Sequence, residues 1–461
     1  MSERTQKRTL IRNATVITVD LKLGTLDRGD VLIEGTKIAA VGVNLEAADA
    51  DIVDGTGTIV MPGMVDTHRH VWQTTLRNIA ADWTLDQYFA GVRGQLGEHF
   101  NADDIYTSNL AGATEALNAG ITTTLDWSHN MNTPAHTDGA VQGLRDSGGR
   151  FVMCYGNSNA EWLPVSNLPT SRDAYRVKKE HFSGADDLVQ MGMALRGPQY
   201  ATEKVCLDDW ALARDIGALI SVHVGDGAWG KNRPVEWLAQ QGLLEGVVCV
   251  HCNSLADDEF RIMAEHGAWA SMTPDIELQM GHGWPATGRL LKEGLAPTLG
   301  VDIVTSNSGH LFQVMRTVLL LERAWAHHHA DQAGTTVQRL PIDTTDVLAF
   351  ATINGARALG MGERIGSLTP GKEADICMLR ADNLEMAPLN NPVGAVVLAG
   401  HPGLVDSVWV AGKAVKRHGK MLNVDIPSLI GNLERSRDRV LQLAGVAPGG
   451  RFIPAPYQAA H

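Results

Sequence analysis

The sequence predicts a (β/α)8 TIM barrel joined to a small β-sandwich domain that both chain termini build. Short apolar runs alternate with amphipathic helical patterns through the middle of the chain, as in barrels of this kind. Strand-and-turn patterns replace this alternation near both termini. The length of 461 residues, of which 44% are hydrophobic, is sufficient for one large and one smaller domain.

The terminal segments have the character of strands joined by turns. Residues 9–19 are rich in β-branched side chains, and residues 31–42 resemble two strands joined at Glu34-Gly35-Thr36. Similar patterns return at residues 374–379 and 405–415. Because the middle of the chain differs from both ends, we predict that the two ends combine into one β domain.

The domain boundaries follow from this change in pattern. Residues 1–60 and 363–424 are predicted to form the composite β-sandwich domain, and residues 61–362 the barrel. Residues 425–461 are predicted to form a helix and an irregular tail, because an amphipathic stretch is followed there by prolines and glycines.

Eight apolar runs are candidates for the barrel strands. They are residues 59–65, 122–125, 151–155, 191–195, 219–222, 247–250, 269–272 and 296–299. Helical patterns separate them, as at residues 102–117, 207–216, 257–265 and 311–326. A doubly wound open sheet is the alternative, but no Gly-x-Gly-x-x-Gly follows the early strands, which argues against dinucleotide binding.

Composition argues against several classes of partner. The formal net charge is −13 and Lys and Arg form no cluster, so we expect neither nucleic acid nor membrane partners. Met1–Thr5 has no apolar signal core, and no apolar run approaches membrane-spanning length. The five scattered cysteines are typical of reduced thiols and predict a cytoplasmic protein. Cys249 and Cys252 flank His251, and we interpret them as small apolar side chains rather than zinc ligands.

The chemistry of the chain is expected to centre on His68 and His70. They follow an apolar run, and residues i and i+2 of a strand point to the same side. Among 17 histidines, roughly one such pair arises by chance. His327 and His329 form another pair, but in a helical pattern where i and i+2 do not share a face, so we predict that they are exposed.

Three further strand ends strengthen the prediction of a site. His223, His251 and Asp302 each come directly after an apolar run. The carboxyl ends of barrel strands meet at one face, where the active sites of such barrels lie. Polar groups of this kind at four strand ends therefore predict one shared site.

Longer motifs carry a resemblance to a known family. They are Met61-Pro62-Gly63-Met64-Val65-Asp66-Thr67-His68-Arg69-His70, Gly120-Ile121-Thr122-Thr123-Thr124, Asn354-Gly355-Ala356-Arg357-Ala358-Leu359-Gly360 and Gly366-Ser367-Leu368-Thr369-Pro370-Gly371-Lys372-Glu373-Ala374-Asp375. With them the chain resembles the amidohydrolase superfamily, in its cytosine-deaminase-like and triazine-hydrolase-like branch, which includes chlorohydrolases and S-adenosylhomocysteine deaminases. The resemblance spans nearly the whole chain and implies the fold predicted above.

The resemblance also implies roles for individual residues. His68, His70, His223 and Asp302 would bind one divalent metal ion. Asp302 would take a proton from the attacking water, and His251 would hydrogen-bond that water or the substrate. Binuclear members use a Lys on the fourth strand, and residues 189–198 contain none, so one ion is expected. Zn²⁺ is the first choice, and Fe²⁺ or Mn²⁺ suits the same ligands. Family members also lead us to expect a homodimer or a higher homo-oligomer.

Two departures from the family pattern affect the expected reaction. Deaminases of this branch carry Glu three residues after the fifth-strand His, whereas this chain has Asp226. We predict that Asp226 shuttles a proton, and the alternatives are that it only orients His251 or is an ordinary turn residue. The family's Pro-x-Ser-Asn after the seventh strand is replaced within residues 273–283, which puts the usual substrates in doubt.

Substrate contacts are predicted at Gln73, Trp83, Gln199 and Asn307, which follow three of the predicted strands. Further candidates in the loop after the first strand are Trp72, Arg77 and Tyr88. Aromatic side chains there could stack on a flat ring, while packing within the loop is the alternative for each.

Three functions remain open on this basis. The first is a deaminase that acts on a nitrogen heterocycle or a nucleoside-like small molecule. The second is a hydrolytic dechlorinase or an amide or carbamate hydrolase that uses the same site. The third is a non-catalytic scaffold, which is disfavoured because buried polar residues are costly to keep together without a function.

Overall fold

Two β-sheets organise the protein, and a computed structural model describes them for residues 8–158, 165–184, 188–447 and 452–455. The first sheet comes from the termini. Its strands are β1 (Arg8–Ile17), β2 (Thr25–Glu34), β3 (Lys37–Gly42), β4 (Asp51–Asp54), β5 (Thr58–Pro62), β14 (Ile376–Arg380), β15 (Val405–Val410), β16 (Lys413–Arg417) and β17 (Lys420–Met421). They run in the order β17-β16-β15-β14-β5-β1-β2-β3, with β4 beside β1. Strands from the two ends meet where β14 pairs antiparallel with β5.

The second sheet is a nearly closed parallel barrel. Its strands are β6 (Met64–Arg69), β7 (Ile121–Ser128), β8 (Arg150–Tyr155), β9 (Val189–Leu195), β10 (Leu219–Val224), β11 (Val248–His251), β12 (Trp269–Met272) and β13 (Thr298–Leu299). Each strand lies beside its neighbour in the sequence. A parallel bridge between Arg69 and Asp302 joins the last strand to the first. In this bridge the amide of Asp302 donates to the carbonyl of His68 at 2.8 Å, and the amide of His70 donates to the carbonyl of Asp302 at 2.8 Å.

Helices follow the barrel strands, as the alternating pattern predicts. In the described residues they are α1 (Leu85–Tyr88), α2 (Ala102–Asn118), α3 (Pro134–Ser147), α4 (Asp173–His181), α5 (Gly197–Tyr200), α6 (Glu203–Asp215), α7 (Pro234–Gln240), α8 (Asp257–Glu265), α9 (Pro274–Met280), α10 (Thr287–Lys292), α11 (Leu311–Gln332), α12 (Thr344–Ala349), α13 (Gly355–Ala358), α14 (Pro392–Ala399) and α15 (Ile426–Leu443). No helix among the described residues combines the length and apolarity needed to cross a bilayer.

The predicted fold class is confirmed, since the chain contains an eight-stranded parallel barrel and a separate sheet from the termini. By its contacts the chain divides into two compact units. One contains the chain up to Asp66 with Glu115–Thr123 and His310–Asn423, and the other contains the remaining segments. The predicted boundaries at residues 60, 362 and 424 stay a prediction.

The first predicted barrel strand proves to be two strands. The apolar run at residues 59–65 divides at Gly63, so that β5 belongs to the terminal sheet and only β6 to the barrel. A Cβ at Gly63 would lie 2.1 Å from the Thr122 hydroxyl oxygen, so glycine permits the chain to pass from one sheet to the other. A continuous run of apolar residues cannot reveal such a change of sheet.

The C-terminal segment packs within its own unit. Asp104 of α2 is buried and accepts hydrogen bonds from Ser436, at 2.7 Å, and from Arg439, both on α15. Further on, the Trp83 indole donates to the carbonyl of Phe452 at 2.8 Å. Residues 452–455 have no regular secondary structure. The rest of the predicted irregular tail, residues 448–451 and 456–461, and the Met1–Thr5 segment lie outside the described residues.

Gly300 provides a test of the barrel closure. A Cβ at this position would lie 2.8 Å from both the Cβ and the carbonyl oxygen of His68. We expect Gly300→Ala to lower the free energy of unfolding by about 1–3 kcal/mol in urea titrations, because the closed barrel cannot accommodate the added methyl group. Gly184→Ala is the matched control, since a Cβ there meets no atom within 4 Å. Equal stability of both variants would contradict the tight closure.

Candidate metal and substrate site

Four side chains meet at the carboxyl end of the barrel. His68 lies near the end of β6, His70 directly after it, His223 on β10 and Asp302 after β13. The Nε2 atoms of His223 and His68 are 3.2 Å apart. Asp302 Oδ1 lies 3.3 Å from Nε2 of His68 and 3.4 Å from Nε2 of His70. Ligands about 2.1 Å from a tetrahedral ion stand about 3.4 Å apart, so this spacing fits a single metal ion.

The protonation of the histidines also fits a metal. Nδ1 of His70 lies 2.9 Å from the Trp127 carbonyl, which can only accept, so Nδ1 carries the proton and Nε2 keeps its lone pair. Burial lowers the pKa of His68 and of His70 to about 3 and holds the pKa of His223 well below its ordinary value. Neutral imidazoles beside a carboxylate are the ligands expected for Zn²⁺, Fe²⁺ or Mn²⁺.

His251 stands above this cluster with its orientation determined by a buried chain of hydrogen bonds. Its Nδ1 lies 3.0 Å from the Thr273 hydroxyl, and that hydroxyl lies 3.3 Å from Glu277 Oε1. If the hydroxyl donates to Glu277 Oε1, it accepts from Nδ1 and leaves Nε2 of His251 unprotonated. Nε2 then faces Asp302 Oδ2, 4.0 Å away. The sequence did not identify Glu277 as a residue that supports the site.

The backbone is unusual at the same positions. His251, Cys252 and Asp302 have φ angles of 72°, 60° and 66°, in the left-handed region that L-residues rarely adopt. Such conformations are found most often at functional sites, where the surrounding structure imposes them. Here the left-handed conformations turn the chain at the ends of β11 and β13. The side chains of His251 and Asp302 therefore point to the cluster.

Asp226 is held more firmly than an ordinary turn residue. Its carboxylate accepts hydrogen bonds from the Tyr200 hydroxyl, at 2.7 Å, and from the Gln199 amide. Burial, reinforced by the charge of Asp302, raises the pKa of Asp226 to about 7. A carboxyl group of this kind can carry a proton near neutral pH and release it, as the predicted shuttle role requires.

These groups line a partly open cavity. Its lining residues are His70, Leu85, Tyr88, Phe89, His129, Tyr200, His223, Asp226, His251, Ile276, Met280, His282, Asp302 and Ile303. One end is therefore polar, and the walls are aromatic and aliphatic. Phe89 lies with its ring centroid 5.7 Å from that of Tyr88 and 6.4 Å from that of Tyr200. Such walls suit a flat ring whose reacting edge faces the polar end.

The predicted substrate residues lie behind this wall. Gln73 is fully buried and donates to the hydroxyl of the cavity residue Tyr88 at 2.6 Å. Gln199 holds Asp226 and also accepts from the amide of Gly225 at 2.9 Å. Asn307 bonds to the carbonyl of Val301 and to the amide of Ser308. Their direct contact with a substrate stays a prediction.

The aromatic and basic candidates of the first loop have different environments. Trp83 bonds to the C-terminal segment, as described above, and Arg77 is exposed. Trp72 is buried and donates to Nδ1 of His129 at 3.0 Å. Tyr88 alone among these candidates contributes to the described cavity lining.

Two cavity histidines were not predicted from the sequence. His129 follows β7, and its ring lies tilted against that of His70 at a centroid distance of 4.2 Å. His282 lies after α9, with its ring centroid 4.4 Å from that of His251. The position of His129 after an apolar run was the signal that could have revealed it. His282 follows a helix rather than a strand, so strand-end reasoning could not find it.

The remaining histidine and cysteine predictions concern residues away from the cluster. His327 and His329 are exposed on α11, as predicted. Cys249 and Cys252 are buried free thiols, and burial raises the pKa of Cys249 to about 12. A protonated thiol is a poor metal ligand, which agrees with the interpretation of these residues as small apolar side chains.

Sequence comparisons find a family profile and relatives that match most of the chain. The sequence profile of the amidohydrolase family matches residues 59–415. The 5'-deoxyadenosine deaminase of Methanothermobacter thermautotrophicus is 30% identical over 414 residues, which cover 87% of this chain and 92% of that relative. A 5-methylthioadenosine/S-adenosylhomocysteine deaminase of Acetivibrio thermocellus is 26% identical over 448 residues, covering 94% and 99%.

Solved structures with the same fold include zinc enzymes. An adenosine deaminase from Xanthomonas campestris with bound zinc superposes with a TM-score of 0.82 at 23% identity, over 94% of this chain and 98% of that one. The atrazine chlorohydrolase of Arthrobacter aurescens, complexed with zinc, gives 0.80 at 22% identity, over 93% and 100%. At these identities the likeness establishes the fold alone.

The ligand cluster predicts metal loss on substitution. We expect His68→Asn to lower metal affinity at least about 100-fold, because it removes an imidazole from the centre of the cluster. Metal content by mass spectrometry, after dialysis against a chelator of graded concentration, measures this. His327→Asn, an exposed histidine of α11, is the control and should retain the metal. Equal metal retention by both variants would rule out His68 as a ligand.

The raised pKa of Glu277 predicts that the stability difference between the wild type and Glu277→Gln depends on pH. Burial raises its pKa to about 8, from an ordinary value of 4.5. Between these values the folded protein keeps a proton that the unfolded chain loses, so this residue's contribution to stability falls as pH rises. We expect Glu277→Gln, which does not titrate, to gain stability over the wild type from about pH 5 to about pH 8. Urea unfolding of the metal-free proteins tests this, and a pH-independent difference would contradict it.

Proposed function

The chain belongs to the amidohydrolase family, and on that premise we propose that it is a metal-dependent deaminase that releases ammonia from an adenosine-like nucleoside. It is a hydrolase of carbon–nitrogen bonds other than peptide bonds, as its deaminase relatives are. One observation supports the proposal most strongly. The cluster of His68, His70, His223 and Asp302 lies at the polar end of an aromatic cavity that also contains His251 and Asp226.

The proposed cofactor is one zinc ion, held by the three histidines and Asp302. The short distances between the ligand atoms and the neutral state of the imidazoles support this, and a solved structure with the same fold contains bound zinc. Fe²⁺ or Mn²⁺ would suit the same ligands. A divalent ion in such a site would lower the pKa of a water molecule towards ~7.

Asp302 is proposed as the general base. One of its oxygens contacts the ligand histidines, and the other faces Nε2 of His251 at 4.0 Å. A water molecule near both residues can therefore lose a proton to the carboxylate while His251 accepts its second hydrogen in a hydrogen bond. His251 is suited to this when the Thr273 hydroxyl donates to Glu277, since its Nε2 then carries no proton.

Asp226 is proposed to deliver the proton that the departing amine needs. With a pKa raised to about 7, its carboxyl group is part protonated at neutral pH. Gln199 and Tyr200 hold it in place at the cavity wall. The fixed orientation of Asp226 thus compensates for a side chain shorter than that of the family's Glu. Asp226 can therefore take the predicted role of that Glu.

The aromatic walls are proposed to hold the flat base. Phe89, Tyr88 and Tyr200 form one side, and Ile276 and Met280 lie in the lining as well. Stacking on such surfaces does not depend on the exact pattern of ring substituents. The aromatic walls therefore recognise the flat shape of a purine-like ring. The polar end recognises the amine that the ring carries.

A second function remains a candidate because both oxygens of Asp226 already accept hydrogen bonds. If Asp226 delivers no proton, a leaving group that needs none is favoured, as in a hydrolytic dechlorinase. An amide or carbamate hydrolase would use the same cluster. A scaffold without activity is not supported, because it gives no reason to bury so many polar groups.

Assembly and compartment belong to the proposal alone. Deaminase relatives imply a small-molecule substrate. A homodimer or higher homo-oligomer, a cytoplasmic location and the absence of nucleic acid and membrane partners stay predictions from the sequence.

Ammonia release tests the proposed function. We expect the zinc-loaded protein to release ammonia from 5'-deoxyadenosine or 5-methylthioadenosine, and Asp302→Asn to reduce kcat at least about 1000-fold, because the base is lost. Coupled ammonia detection measures both, and removal of the metal by a chelator should abolish the activity until zinc is restored. Release of chloride or a carboxylate, but no ammonia, across purine, pyrimidine and triazine panels would refute the deaminase.

A further inference from the structure

His282 is a buried histidine that the proposed mechanism does not use. Its side chain is 4% exposed, and neither ring nitrogen has a hydrogen-bond partner among the described residues. It lines the cavity beside His251. A buried polar group without a partner is costly, and at a cavity wall a ligand can satisfy it.

The backbone around His282 holds it in this position. Gly281 and Gly283 flank it with φ angles of 85° and 128°, which L-residues rarely adopt. The carbonyl of His282 accepts from the amide of Gly227 at 2.9 Å, which joins its loop to the residue after Asp226. The Gly-His-Gly segment thus places this imidazole beside Asp226.

Three groups surround one small space at the polar end. Single ligand atoms of Asp226, His251 and His282 lie within 4.8 Å of one another, and all three residues are buried. Partners that hydrogen-bond one tetrahedral nitrogen at about 2.8 Å stand about 4.6 Å apart. Separations of at most 4.8 Å are compatible with three hydrogen bonds to one nitrogen.

We infer that Asp226, His251 and His282 enclose the departing amine, and that His282 is an additional substrate contact that accepts a hydrogen bond from an N–H of that amine. The inference rests on the proposed deaminase and deepens it. It names the substrate class as heterocycles whose leaving group carries at least one N–H.

The chemistry balances with these residues. The water oxygen forms a bond to the ring carbon, and the carbon–nitrogen bond breaks with its electron pair passing to nitrogen. Asp226 gives that nitrogen one proton, while Asp302 takes one from the water. One water is consumed and one ammonia leaves, and the product ring carries the oxygen. His282 transfers no proton; it holds an N–H while the nitrogen becomes tetrahedral.

A comparison of two leaving groups tests this contact. The probes are 5'-deoxyadenosine and its 6-chloro analogue, because chloride has no N–H to donate. In the zinc-loaded enzyme we expect His282→Ala to lower kcat for the amine about 10- to 100-fold, and for the chloro analogue less than about threefold. His282→Gln, which keeps an acceptor, should recover part of the loss on the amine.

The control is His266→Ala, which changes an exposed histidine and should leave both rates unchanged. Circular dichroism, melting and metal content are measured for every variant. Equal losses on both substrates would overturn the inference, because they would indicate a structural role. Loss of a second metal equivalent in His282→Ala would also overturn it in favour of a cation site. A wild-type enzyme that hydrolyses the chloro analogue but releases no ammonia would refute the proposed function instead.

Discussion

The backbone bridge between Arg69 and Asp302 is the constraint on which the site depends. It closes the barrel, and its two hydrogen bonds involve His68, His70 and Asp302 themselves. Three of the four proposed ligands are therefore placed by main-chain geometry, before any side chain adjusts. The absence of a side chain at Gly300 permits the close approach, because any Cβ there would meet His68. The same backbone contact therefore closes the barrel and positions three residues of the proposed metal site.

Burial explains the electrostatic character of the site. The same low-polarity surroundings keep the imidazoles of His68 and His70 neutral and raise the pKa of Asp226 and Glu277. Neutral imidazoles favour metal binding, and a carboxyl group with a pKa near 7 favours proton transfer. A single physical cause thus prepares both parts of the proposed reaction, the ion and the proton carrier.

The outer part of the cavity contains the residues at which this chain differs from the pattern that the resemblance implies. Relatives named as deaminases match most of its length, whereas the resemblance of the sequence implies a Glu in place of Asp226 and a Pro-x-Ser-Asn within residues 273–283, which this chain lacks. The structure shows how the two departures are related, since the Gly227 amide bonds to the His282 carbonyl. Asp226 and His282 lie together beside His251, where we propose that they contact the leaving group.

The sequence by itself determined the barrel, the terminal sheet and the strand ends that carry His68, His70, His223, His251 and Asp302, because periodicity and chain order are local properties. It could not show that Gly63 divides an apolar run between two sheets, since both halves are equally apolar. Nor could it reveal His282, Glu277 or the left-handed backbone at His251 and Asp302. Those depend on contacts between segments far apart in the chain, and only the folded barrel decides which distant side chains share one cavity.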